Sequence, residues 1–245
     1  MSQPTSSPRR SNIARSKSGG ALTRERIVAA AIEEIDARGL AAFSIRNLAA
    51  RLGVYPTAIY WHIASRNLIL AEVVGHVLAD ADPGGGLEWR DFLRRLFGHY
   101  RTAIKAHPNV APLVGAHLVG NATIPFSFVE SVLAKLGEAG FAGEALVDAY
   151  NTVVAALVGF ITQEFAPVPE DDGEAWRSGV QARLEAVDPE ACPTLAANLP
   201  LLANKAFILR WRSGEEAPLD ASFDRYVEIV VAGLEKFAGE VGARG

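Results

Sequence analysis

The stretch from Ser44 to Ile63 constrains this chain more than any other. Ser44 can cap a helix, and Ile45, Leu48 and Ala49 follow at helical spacing. Leu52-Gly53-Val54 interrupts that helix, because glycine tolerates the backbone angles of a tight turn. Tyr55-Pro56 restarts one, with Pro at a first helical position, where its missing N–H costs nothing. Ile59 and Ile63, four residues apart, give the second helix an inward face. The spacing therefore predicts two short helices joined by a glycine turn, with Thr57, Tyr60 and Trp61 projecting away from a small core. For Trp61 two readings stand: outward exposure, or packing against the next helix.

The flanking sequence is helical too. Ile27, Ala31 and Ile35 recur every four residues, with Thr23 as N-cap and Gly39 as stop. Ser65 caps a helix expected to reach about Asp80. Asp82-Pro83-Gly84-Gly85-Gly86 has neither phosphate-loop spacing nor a preceding strand, and reads as a plain connector. Further helices are expected near 87–106, 110–119, 124–139, 143–166, 198–212 and 221–238. Period-two alternation is scarce and no hairpin signal occurs, so the fold class is all-α. Residues 1–20 are rich in Ser, Pro, Gly and Arg and read as a disordered basic tail. The expected domains are this tail, a helix-turn-helix head over 21–66, and a larger helical domain over 67–240.

Charge is distributed unevenly. Residues 1–66 hold 10 Lys/Arg against 4 Asp/Glu, while the remainder hold 14 against 24. A basic head on an acidic body suits a head that meets a polyanion. A short helix presenting Thr, Tyr and Trp in such a head fits a major groove, where side chains reach base edges and phosphates.

Other classes find little support. One cysteine, Cys192, excludes a disulfide framework. The five histidines form no H-x-x-x-H or H-E-x-x-H pattern, and no G-x-S-x-G motif occurs, so no catalytic residue, metal site or cofactor is expected. The longest charge-free run, Ala106 to Val129, contains three prolines and is rejected as a membrane span. The chain start has no apolar signal region, and the expected location is cytoplasmic.

Thr23 through Ile35, Arg38-Gly39-Leu40, Ser44-Ile45-Arg46, Leu48-Ala49, Leu52-Gly53-Val54 and Ile59-Tyr60-Trp61-His62 resemble the DNA-binding head of the tetracycline-repressor (TetR) family. More weakly, Trp89 to Arg94, Gly140-Phe141 and Gly233 to Lys236 are similar to the C-terminal domain of the tetracycline repressor branch. The resemblance implies a homodimer that binds a palindromic double-stranded DNA operator and is released by a small-molecule effector acting through the fourth helix. Carried over residue by residue, it implies DNA contacts at Arg46, Thr57 and Tyr60, and backbone contacts at His62 and Arg66. Pro56 departs from the polar base-reader common at its position, and Tyr55 is the expected substitute.

In the larger domain, residues 143–166 are apolar nearly all round, and 221–238 carry a second apolar stripe. The resemblance makes these the dimer helices, with Val153, Leu157, Val227, Val230 and Leu234 as interface; on sequence alone they also fit a monomer core. The candidate ligand-binding residues are Tyr100, His117, Asn121, Phe160, Gln163 and Glu164. In the tetracycline repressor branch a His and a Glu hold a drug–magnesium chelate. These fall on His117 and Gln163, with Glu164 one step later, while the polar drug contacts fall on Leu96 and Val132. The resulting expectation is a more apolar or aromatic effector, bound without metal. Two other readings stand beside the ligand-responsive repressor: a structural DNA-binding protein without effector, and a small-molecule binder or enzyme whose helix-turn-helix is incidental.

Overall fold

Side-chain caps set the helix boundaries in the first third of the chain. In the computed structural model, which describes residues 21–118, 126–167, 169 and 173–243, Thr23 Oγ1 accepts from Arg26 N, Ser44 Oγ from Asn47 N and Ser65 Oγ from Leu68 N. These begin α1 (Arg24–Arg38), α2 (Ile45–Leu52) and α4 (Arg66–Val77). Gly53 ends α2 in the left-handed region, φ 68° and ψ 30°, and Pro56 opens the short α3 (Pro56–Tyr60). The helical bonding persists just past α3, since Ile63 N still donates to the Ile59 carbonyl.

The remaining helices are α5 (Trp89–Ala106), α6 (Ala111–Leu118), α7 (Phe126–Glu138), α8 (Gly143–Glu164), α9 (Gly173–Glu185), α10 (Pro193–Leu202) and α11 (Asp220–Gly242), with a 3₁₀ turn at Pro108–Val110 before α6. No strand occurs among the described residues. The basic tail over 1–20 and Asn121 lie outside the described residues, as do the side chains of 116–118, His117 among them.

Two expectations about the second half are corrected. The helix expected at 198–212 instead spans 193–202. Asn204 and Ile208 then take positive φ, which an α-helix cannot continue through. Asn204 Oδ1 accepts from Trp211 N and Arg212 N, closing a loop where helix was expected. Helix α9 is missing from the expected set although Trp176, Val180 and Leu184 recur every four residues along it; none of its residues is fully buried.

The head core is built from Ile27, Ala31 and Ile35 of α1, Leu48 of α2, Ile59 and Ile63, with Ile69 of α4 closing it from below. Helix α4 packs on both α1 and α6, so it is shared by the head and the larger domain. In that domain α8 is central and packs against α5, α6, α7 and α11. It is long and apolar enough to pass for a membrane span, and one face of it packs into the protein core.

Candidate nucleic-acid interface and ligand cavity

The α2–α3 unit turns one surface outward. Tyr55 is 82% exposed, Tyr60 44% and Trp61 88%, and Arg46, Thr57 and His62 are exposed as well. The exposure of Trp61 decides between its two readings: it does not pack against α4. Arg66 stands at the start of α4, its Nη2 donating to the Phe43 carbonyl at 3.4 Å and its guanidinium lying 5.4 Å from the Phe43 ring centre. This holds the side chain beside the α2–α3 unit. Arg51, by contrast, is drawn to the back of the head by Glu33 on α1.

A hydrogen-bonded joint ties the head to the larger domain. Asn109 Nδ2 donates to the carbonyls of Ile35 and Asp36 at the end of α1, and His107 Nδ1 lies 2.8 Å from Asp36 Oδ2.

Between α4, α5, α7 and α8 lies a cavity of about 370 Å³. One wall is the C-terminal half of α4 and the loop after it, from Val74 to Asp82. Opposite stand Tyr150, Val154, Leu157 and Val158 of α8, with Phe128 and Ser127 of α7. Tyr100 of α5 completes the lining; it is 4% exposed, and its hydroxyl has no hydrogen-bond partner among the described residues. Burial holds the Tyr100 hydroxyl well above its ordinary pKa, so it stays protonated and able to donate. A buried donor without an acceptor costs free energy that a bound molecule can return. The lining is mostly apolar with a few polar atoms, the usual character of a small-molecule site.

Of the residues expected to line a ligand site, only Tyr100 stands in the cavity wall among those described. Phe160 packs instead into an aromatic cluster, its ring 5.1 to 5.4 Å from those of Phe207, Phe223 and Tyr226. Gln163 is exposed on α8. Glu164 is buried, but both its oxygens are taken. Arg101 Nε donates to Oε2 at 2.8 Å and Nη2 to Oε1 at 2.6 Å, and Leu219 N donates to Oε1 at 2.9 Å. The single-residue step from 163 to 164 turns the side chain by about 100°, away from solvent and into the join between α5, α8 and α11. Gly214 sits against the same residue: its N donates to the Glu164 carbonyl at 2.8 Å, and a Cβ there would fall 2.7 Å from Glu164 Cγ. Leu96 and Val132 are core residues.

Four of the five expected interface residues are buried within the single chain. Val153, Val227 and Leu234 are 0 to 5% exposed and form the chain's own core, Leu157 is a cavity wall, and Val230 is half-buried. A helix apolar nearly all round does not reveal which face meets its own chain and which meets a partner. The outward faces are different: Val147, Asn151, Ala155 and Gly159 at four-residue spacing on α8, and Ile229, Ala232 and Gly233 on α11. Sequence reasoning also missed Asp82 and Arg101. Asp82 lay in a loop read as a connector, and Arg101 carried no motif at all.

Comparison with known proteins agrees with this geometry. Residues 27–73 match the family described as bacterial regulatory proteins, tetR family, and residues 82–237 match the tetracyclin repressor-like C-terminal domain. An HTH-type transcriptional regulator of Saccharopolyspora erythraea is 30% identical over 223 residues, covering 89% of this chain and 86% of its own. The class A tetracycline repressor protein of transposon 1721 from Escherichia coli is 29% identical over 221 residues, covering 86% and 89%. Among solved structures, that of BioQ with its natural double-stranded DNA operator is 29% identical with a TM-score of 0.55, covering 67% of this chain and 97% of that one. An exposed helix-turn-helix on a helical domain, matched over both parts by one family, places the chain: it belongs to the tetR family of bacterial regulatory proteins and is a transcriptional regulator.

Proposed function

We propose that the chain is a ligand-responsive repressor that binds a palindromic operator as a homodimer and releases it when a small apolar or aromatic molecule fills the α4–α8 cavity. The observation that carries the reading is that α4 is at once a cavity wall and a support of the head core. A molecule wedged against Val74 and Leu78 displaces the helix on which α1 rests. Because a packed core transmits such a shift rather than absorbing it, the spacing of two paired heads changes.

In this reading Arg46, Tyr55, Thr57, Tyr60 and His62 meet the DNA, with Arg66 at the edge and Trp61 added to the set. The outward faces of α8 and α11 pair two protomers, their small residues allowing close approach of the helices. The head domain over 21–66 and the regulatory domain over 67–240 meet at the start of α4. The ion pair that engages the buried Glu164 and the neutral, exposed Gln163 leave no carboxylate of α8 itself free at its C-terminal end for a drug–metal chelate, which supports a metal-free effector. No group of three or more His, Cys, Asp or Glu side chains gathers among the described residues. As a DNA-binding regulator the protein acts in the cytoplasm and is not an enzyme.

The test is to select DNA from a random pool with the full chain and determine the stoichiometry of the complex. Inverted repeats bound by two chains are expected. Enrichment of no common sequence supports instead a structural DNA-binding role without operator specificity.

A further inference from the structure

Within the described cavity lining, Asp82 is the one formally charged side chain. It forms no ion pair among the described residues. Its Oδ1 accepts from Gly84 N at 2.9 Å, and its Oδ2 lies 2.8 Å from Ser131 Oγ, which also contacts the Ser127 carbonyl. Two neutral partners leave carboxylate lone pairs over. The ammonium nearest along α7, that of Lys135, is spent elsewhere: it donates to the Leu87 carbonyl at 2.7 Å and to the Glu138 carboxylate at 2.8 Å. Asp82 is half-buried, so its charge stays partly hydrated and costs little. The same cavity is walled by the rings of Tyr100, Phe128 and Tyr150. Aromatic faces and a lone carboxylate both attract a cation, whereas a carboxylate-bearing ligand meets repulsion at Asp82.

We propose that the effector is a cationic aromatic molecule, a protonated amine on an aromatic or polycyclic body, with its ammonium at Asp82, its ring against Tyr150 and Phe128, and an acceptor opposite the Tyr100 hydroxyl. This rests on the cavity being the effector site and names the chemical class it selects. It separates the regulator from one that senses acidic or neutral apolar compounds.

Three probes with one ring system and different charge test this by calorimetry on the full chain: 2-naphthylmethylammonium, 2-naphthylmethanol and 2-naphthoate. The ammonium is expected to bind roughly tenfold or more tighter than the alcohol, and the naphthoate weakest. Asp82→Asn, which keeps the acceptor for Gly84 N, brings the ammonium to within about threefold of the alcohol and leaves the alcohol unchanged, and Asp82→Glu retains the preference. Equal binding of ammonium and alcohol by the unaltered protein, or a preference that survives Asp82→Asn, overturns the inference and leaves the cavity reading intact. Binding of none of the three overturns both. If Asp82→Asn loses its helical circular dichroism, the three-probe comparison on the unaltered protein decides alone.

Discussion

Arg101 and Glu164 meet side-on in a two-bond ion pair, Nε 2.8 Å from one oxygen and Nη2 2.6 Å from the other, with the Glu164 side chain fully buried and that of Arg101 12% exposed. Asp220 adds a third contact, its Oδ1 2.8 Å from the same Nη2, and the guanidinium lies 4.6 Å from the centre of the Phe223 ring. The cluster joins the middle of α5, the end of α8 and the start of α11. Both Glu164 oxygens are engaged in joining the three helices.

Removing one partner of that pair strands a buried charge. Arg101→Met is expected to lower stability by about 3–5 kcal/mol, read from urea unfolding, while Arg101→Met combined with Glu164→Met recovers most of the loss. A single substitution costing under about 1 kcal/mol contradicts a structural role for the pair.

Tyr100 behaves in the opposite way. Its hydroxyl is buried without a partner among the described residues, so Tyr100→Phe removes an unsatisfied group. The variant is expected to be as stable as the parent or up to about 1 kcal/mol more stable, by thermal melting, and to bind 2-naphthylmethanol more weakly. A marked loss of stability places a hydrogen bond on that oxygen and removes the cavity's main polar anchor.

Much of the head was legible in the sequence because its signals are local. Thr23, Ser44, Ser65, Gly53 and Pro56 each set a boundary through their own chemistry, and Ile59 and Ile63 pointed inward by period alone. The ligand domain was less legible because its decisive relationships are long-range. Arg101 and Glu164 are 63 residues apart, and nothing near either announces the other. On α8 and α11, apolar residues on several faces hid which stripe is inward. The loop closed by Asn204 leaves no periodic trace, whereas α9 carries one in Trp176, Val180 and Leu184.

The outward faces of α8 and α11 give a prediction about assembly. Ile229 is 62% exposed in the single chain, so Ile229→Asp costs the isolated fold little. In a desolvated interface the same charge costs several kcal/mol, roughly 3–5, and turns the dimer into monomer by light scattering. Leu157→Asp is expected to unfold the chain instead, since that side chain is buried within it. A dimer that survives Ile229→Asp moves the interface elsewhere.

The metal-free effector proposed from the side chains near the end of α8 gives a further prediction. Micromolar tetracycline with magnesium is expected to leave the DNA complex intact in a gel shift, and EDTA to leave DNA binding unchanged. Magnesium-dependent release by tetracycline contradicts the assignment of Glu164 to the ion pair.

The most direct test of a groove-reading head is fluorescence anisotropy on the selected operator, measured across a salt series with the unaltered chain, Tyr60→Ala and Arg46→Ala. Affinity is expected to fall steeply as salt rises, because phosphate contacts release counterions, and each substitution to cost about 1–3 kcal/mol. Both side chains are exposed, so neither substitution should disturb the head's fold. An affinity indifferent to salt, or equal in all three proteins, contradicts the account.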